Sequence, residues 1–325
     1  MGTPATGQRV KRQSRWAVGE SHAVVLQPRD LDFFQFIFEL GYVSAKLLHD
    51  YVCPEVEQRI VARRLKQLHD KPNCYLSRPD QQRDNHQANY SHLIYAVTDK
   101  AVDALLNAGR ITQQDVLWRQ RLFTTKYREF WHDVNCANVI GSLRLAIKDA
   151  PSLRFVTPFD ILRKAPTETQ ASTNPFTFDL LPKGSRKRRI IPDYIFGIAY
   201  ARPGQKDGHR FFWYEHDQAT EPVQRVASQG SSFIEKLLDC DEMLEKGLYR
   251  HQLGLPDIYV TTVTLTVRHL QSIQAHSGRL RNKTRFLFKA LNTFSEFDKV
   301  PKPSPLILKE PWAMAGSPPL RIDQS

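Results

Sequence analysis

The chain is predicted to be a mixed α/β protein made of a helical half with a β-hairpin and a strand-rich half. Three observations predict it. Residues 29–115 read as three helices, two short strands and a closing helix, in that order. Residues 116–299 read as a long helix, several strands, a helix and a further strand, the pattern of an α/β sandwich. A length of 325 residues with 41% hydrophobic side chains is enough for two packed domains.

The first helix is expected over "RDLDFFQFIFELG", ended by Gly41. Leu31, Phe34 and Phe38 form one apolar stripe and Phe33, Phe36 and Leu40 a second, so this helix should be packed centrally. A short helix capped by Ser44 follows in "VSAKLLHDYV". The third, "PEVEQRIVARRLKQLHD", places Pro54 in its first turn. Its Val61, Leu65 and Leu68 point one way, and Arg59, Arg63 and Lys66 recur on the opposite face. "CYLSRP" and "HLIYAVT" form a hairpin around the polar loop "DQQRDNHQANYS", and Thr98 caps the closing helix. That order is a winged helix-turn-helix, whose third helix would enter the major groove. The hairpin, with Arg78, Arg83 and His86, would touch the DNA backbone or minor groove. A basic face on one helix is also what ordinary solvation produces.

Lys and Arg number 46 against 34 Asp and Glu, a formal charge of +12. Such a balance points to nucleic acid first and an anionic membrane second, with a merely basic soluble protein as the alternative. No apolar run approaches the length of a membrane span, so no membrane partner is expected. Cys53, Cys74, Cys136 and Cys240 are widely spaced and read as reduced thiols of a cytoplasmic protein. Residues 1–28, with Arg9, Lys11, Arg12 and Arg15, read as a flexible basic arm. Residues 300–325 read as a proline-rich tail outside any core.

In the second half the long helix is "KYREFWHDVNCANVIGSLRLAIKDA". Strands are expected in "LRFVTPFDIL", "FTFDLL", "RRIIPDYIFGIAY", "HRFFWYEHDQ" and "DIYVTTVTLTV", with "RKAPTETQASTNP" as a loop. "IPDYIFGIAY" and "HRFFWYEHDQ" flank the turn-rich "ARPGQKDG" and should pair as a hairpin. Glu215 and Asp217 share a strand face because side chains alternate. A turn centred near Gln205 would set Asp193 opposite Asp217, clustering Asp193, Glu215 and Asp217 at one end of the sheet. Three carboxylates there could hold Mg²⁺. They could equally pair with Arg188, Arg189 or Arg225 and do no chemistry.

Pro192-Asp193 followed after a hairpin by Glu215 resembles the P-D…(D/E)-x-K signature of restriction-endonuclease-like nucleases. The resemblance implies that the acids bind metal and that a lysine two residues after the second acid helps activate water. Here that position is Asp217, and Lys236 on the following helix is the nearest candidate to replace it. The departure implies a degenerate site. Most of residues 29–268 also resembles the replication-relaxation family of plasmid-associated proteins. The features that carry this are the winged-helix half, "WHDVNCANV", "PDYIF", and "FFWYEHDQATEPVQR" followed by "FIEKL". In the family the acidic strand reads as acid-x-Asp and a Thr-Glu pair, here Glu215, Asp217, Thr220 and Glu221. His132 and Asn135 fall on the long helix, where an interior histidine and a surface amide are the ordinary readings. The family resemblance implies DNA binding in plasmid replication or mobilisation.

No phosphate-binding G-x-x-x-x-G-K-[S/T] loop, histidine cluster of a relaxase metal, nucleophile elbow or zinc-ligand spacing occurs. The expected DNA contacts are Arg59, Arg63, Arg64 and Lys66, then Arg78 and Arg83 of the wing, and the backbone-contacting patch Arg186, Lys187, Arg188 and Arg189. Three functions stay open. The first is a binder of double-stranded DNA, working with replication or mobilisation proteins, on a retired nuclease scaffold. The second is an active Mg²⁺-dependent nuclease using Asp193, Glu215, Asp217 and Lys236. The third is a protein-interaction module.

Overall fold

Helix α1 (Pro28–Leu40) starts where the Gln27 N–H donates to Asp30 Oδ2 at 2.8 Å, and ends at Gly41, whose φ of 87° favours glycine. Both of its phenylalanine stripes are buried, as a central helix requires. The computed structural model describes residues 14–84, 91–122, 130–183, 186–218, 233–291 and 300–324. Strand β1 (Val43–Ser44) leads into α2 (Ala45–Val52), and the Ser44 hydroxyl accepts from the Leu47 N–H at 3.2 Å. Helix α3 (Gln58–His69) begins after Pro54 rather than around it, so it is shorter than its sequence pattern. Strands β2 (Leu76–Ser77) and β3 (Ile94–Val97) pair antiparallel, and β1 pairs with the other edge of β3. Helix α4 (Asp99–Asn107) follows Thr98, whose hydroxyl turns away from a cap and donates to the Cys74 and Tyr75 carbonyls. The hairpin tip with His86 lies outside the described residues.

Segment 14–27, the described part of the expected flexible arm, lies against this unit. The Gly19 N–H donates to Asp70 at 3.0 Å, and Arg15 donates to the Ser91 carbonyl at 2.8 Å. Arg9, Lys11 and Arg12 lie outside the described residues.

Helix α5 (Gln113–Leu122), absent from the sequence reading, is tied forward through Asp115, which binds Arg163 at 2.7 Å. Helix α6 (Phe130–Lys148) is buried over most of its length. Strand β4 (Leu153–Val156) stops early, because Thr157 and Asp160 cap each other and start α7 (Pro158–Lys164) where a longer strand was expected. A short helix, α8 (Thr167–Ala171), interrupts the expected loop. The pattern read as one strand across "RRIIPDYIFGIAY" is two: β6 (Arg186–Ile190), which pairs with β5 (Phe178–Lys183), and β7 (Tyr194–Tyr200). Pro192 has no N–H to donate, and the chain changes sheets there.

Strand β8 (Gly208–Asp217) is followed by α9 (Phe233–Glu245), α10 (Leu248–Leu253), β9 (Tyr259–Thr264), α11 (Val267–His276) and β10 (Phe286–Ala290). Then come α12 (Leu306–Lys309), β11 (Trp312–Met314) and β12 (Ser317–Leu320). The main sheet runs β12-β11-β10-β9-β8-β7-β4. Strands β8, β9 and β10 are mutually parallel, and β7 is antiparallel to both β4 and β8. Helix α6 lies over the face that carries His216, while α9 and α11 lie over the face of Trp213, Glu215 and Asp217.

The proline-rich end corrects the sequence reading, for it completes the sheet. Ile307, Leu308, Trp312 and Ile322 are buried, and the prolines fall in loops and on the outermost strand, where a missing donor costs little. One apolar cluster joins both halves through α6, reinforced by Arg144–Glu39 at 2.5 Å and by the Tyr194 hydroxyl donating to the Glu39 carbonyl. All four cysteines are free thiols. Among the described residues no helix is long and apolar enough to cross a membrane.

Candidate active site

The β7–β8 hairpin sets the site. Tyr194 faces Tyr214 and Tyr200 faces Gly208, so the turn is centred at Gly204, one residue before the expected centre. A one-residue shift of the centre moves every cross-strand partner by two. Asp193 therefore meets the Glu215 position rather than Asp217. Its own N–H donates to the Tyr214 carbonyl at 3.1 Å, and the His216 N–H donates to its Oδ2 at 2.7 Å.

Lys236, one turn into α9, reaches down to this pair. Its Nζ forms an ion pair with Glu215 Oε2 and lies 3.8 Å from Asp193 Oδ1. Glu215 is fully buried, and the Trp213 indole N–H donates to its other oxygen. The four-ring run Phe211–Tyr214 is likewise buried and anchors the strand beneath. Burial, with the Asp193 charge added, pushes the Glu215 carboxyl up to about 8 against the pull of Lys236. Burial would also raise Asp193, but Lys236, His132 and its hydrogen bonds outweigh it and hold it well below the usual carboxylate range. Burial would lower Lys236, yet the two carboxylates win and keep it charged.

Asp217 takes a different partner. Its carboxylate is 2.5 Å from His269 Nε2 of α11 and accepts from the Thr264 hydroxyl at 3.4 Å. The expected three-carboxylate cluster is thus two carboxylates around a lysine, with the third acid committed elsewhere. Thr220, Glu221 and Arg225 lie outside the described residues.

The opposite side of Asp193 holds His132 of α6, with Nε2 3.2 Å from Asp193 Oδ2. Cys136, one turn further, has its sulfur 3.9 Å from that nitrogen. His216, packed against the His132 ring and joined to the Tyr214 hydroxyl at 2.9 Å, is driven down to about 3 by burial and the His132 charge, and is neutral. His132 thus touches the site instead of being a plain interior histidine, and Asn135 is buried rather than on the surface. The i, i+4 spacing of His132 and Cys136 was the signal available in the sequence. A cleft of about 1300 Å³ opens over this region, lined by His132, His216, Asp217, Lys236 and Arg188 among others.

The basic residues divide. Arg59, Arg63 and Lys66 are exposed on α3, although Arg59 pairs with Glu57 at 2.6 Å and Lys66 with Asp70. Arg64 turns inward and grips buried Asp30 through two bonds, at 3.0 and 2.6 Å. Arg78 is buried and donates to the Arg15 carbonyl and the Tyr95 hydroxyl, so its contacts are internal. Arg83 pairs with Asp80 at 2.7 Å. Arg188 clamps Asp239 and Glu242 of α9, and Arg189 pairs with Asp179 at 2.6 Å. The side chains of Arg186 and Lys187 lie outside the described residues.

Comparison with known proteins finds a match in one family model, described as replication-relaxation, over residues 34–235. No curated protein and no solved structure matches. The matched span runs from α1 into α9, takes in Asp193 and Glu215, and stops one residue before Lys236. It covers more than half of the chain, and the protein belongs to the replication-relaxation family.

Proposed function

We propose that this protein binds double-stranded DNA and cleaves a phosphodiester bond in plasmid replication or relaxation, with Asp193, Glu215 and Lys236 as the cleavage site. One observation carries the reading: Lys236 reaches both carboxylates, standing in for the lysine that β8 lacks at position 217. The order of α6, the antiparallel β4, β7 and β8, then α9 and the parallel β9 supports an endonuclease-like module.

Two carboxylates, one just before β7 and one on β8, already converge on one cation, the Lys236 ammonium, so their arrangement fits a hard divalent ion. Asp193 and Glu215 would hold Mg²⁺, which when bound supplies Lewis acidity and a water of lowered pKa. The Trp213 N–H orients Glu215, and the His216 N–H orients Asp193. Lys236 brings a positive charge to the cleft, where it can orient a water and stabilise charge growing on a phosphate oxygen. Glu215, its carboxyl raised to about 8 by burial, would have to release its proton to hold the ion.

The DNA-binding part of the reading rests on α1, α2, α3 and the β2–β3 hairpin, ordered as in a winged helix, with Arg59, Arg63 and Lys66 outward on α3. Replication or mobilisation proteins are the partners this role calls for.

The test is incubation with supercoiled plasmid in Mg²⁺, Mn²⁺ or EDTA, comparing wild type with Asp193→Ala. Metal-dependent nicking lost in the variant is expected. Retardation without nicking in every lane would overturn the cleavage site and leave a DNA-binding protein. No retardation even at low salt would overturn DNA binding as well.

A further inference from the structure

We infer that His132, Cys136 and Asp193 form a site for a borderline transition-metal ion of the zinc type, distinct from the magnesium position proposed above. Among the described residues these are the three side chains whose ligand atoms all lie within 4.8 Å of one another. The site shares Asp193 with the proposed cleavage centre but stands whether or not that centre cuts DNA. The two claims divide the carboxylate: Oδ1 faces Lys236 and Oδ2 faces His132.

Two of the three edges lie near those of a tetrahedral site. Ligand bonds of about 2.0 Å to nitrogen or oxygen and about 2.3 Å to sulfur imply N···O edges of about 3.3 Å and N···S edges of about 3.6 Å. The structure has His132 Nε2 at 3.2 Å from Asp193 Oδ2 and at 3.9 Å from Cys136 Sγ. The third edge, from Asp193 to the Cys136 sulfur, is no longer than 4.8 Å, and an ion would draw the three atoms together.

The supports are also those of a metal site. His132 and Cys136 are one helical turn apart on α6, which holds both rigidly. Asp133 Oδ1 lies 3.4 Å from His132 Nδ1 and can hold a proton there, so that Nε2 would ligate once an ion displaces its own proton, in the usual carboxylate–histidine–metal arrangement. The His216 N–H keeps Asp193 Oδ2 pointed at His132. His132 also lines the cleft, the route by which an ion, a water or a phosphate oxygen would reach it. A thiolate with an imidazole selects zinc-like ions over magnesium.

The experiment is a Co²⁺ titration of the metal-free full-length chain, followed by absorbance. A thiolate-to-cobalt charge-transfer band saturating at one ion per chain is expected, with the visible bands of a tetrahedral ion. One equivalent of Zn²⁺ should erase the band, and a large excess of Mg²⁺ should leave it. Cys136→Ser should lose the charge-transfer band, Cys240→Ser should keep it, and Asp133→Asn should weaken Co²⁺ binding about tenfold. Absence of the band in wild type overturns the site, as does a band that survives Cys136→Ser or yields to Mg²⁺. The wild-type result decides even if the serine variant fails to fold.

Discussion

Glu215 and Asp217 leave the same face of β8 two residues apart and are both buried, yet they end in different chemistry. Glu215 lies beside Asp193 under Lys236 of α9, so two carboxylates share one cation. Asp217 lies under α11, with His269 Nε2 2.5 Å from its carboxylate. Two carboxyl groups brought together can both turn oxygens toward one divalent ion, whereas Asp217 stands apart from them with His269 and Thr264 as its partners. The strand decides which way an acid points, and the helix above decides what it can do.

The sharpest way to break that comparison is to exchange the fates of the two acids. Lys236→Met should lower plasmid nicking by about 100-fold or more, since it removes a fixed charge from the proposed cleavage centre. Asp217→Asn should leave nicking within about threefold of wild type. Equal loss in both variants would mean that the two acids form one site after all.

Stability should show the reverse order. Asp217→Asn leaves His269 facing an amide in a buried setting and should cost about 2 kcal/mol, read as a lower urea midpoint with an unchanged slope. The arginines of α3 provide the next test. Arg63→Ala should weaken DNA binding and reduce the slope of log affinity against log salt by about 1. Arg64→Ala, one residue on, should leave that slope alone and cost about 1–3 kcal/mol of folding, because Asp30 stays buried without its partner. A matching loss of salt slope in both would put Arg64 on the DNA.

The smallest effect is expected far from the cleft. Tyr200→Phe removes the bond from its hydroxyl to the Ile322 carbonyl and should cost about 1 kcal/mol. Burial raises this phenol from its ordinary value of 10 to about 12. The folded chain therefore holds a proton that the unfolded chain releases first, so the contribution is whole below pH 10 and is lost as pH rises from 10 to about 12. In Tyr200→Phe that part of the alkaline loss should vanish from a pH series of melting temperatures.

Local chemistry made several elements legible. Two phenylalanine stripes and a closing glycine mark α1, Ser44 marks the start of α2, and the aromatic run marks β8 as a buried strand. Other elements were hidden because two local signals competed. At Thr157 an extended apolar pattern met a capping box, and the cap prevailed. In the tail, proline content spoke for a loose end while Ile307, Trp312 and Ile322 supplied enough apolar surface to be drawn into the core. Arg64 and Arg78 looked like neighbours of Arg63 and Arg83 on a charged surface, but each is held by a partner distant in sequence: Asp30 for one, Tyr95 and the Arg15 carbonyl for the other.

Periodicity, caps and turn residues act over a few residues, so the chain by itself determined helices such as α1 and α2, its central hairpin and the shared face of Glu215 and Asp217. Pairing register, by contrast, turned on one residue at the hairpin turn, and that residue chose which acid meets Asp193. The approach of Lys236 and His132 to Asp193 from opposite faces of the sheet depends on how α9 and α6 pack. Only the tertiary structure decided the site, because its charges come from four separate elements whose spacing is set by packing rather than by sequence distance.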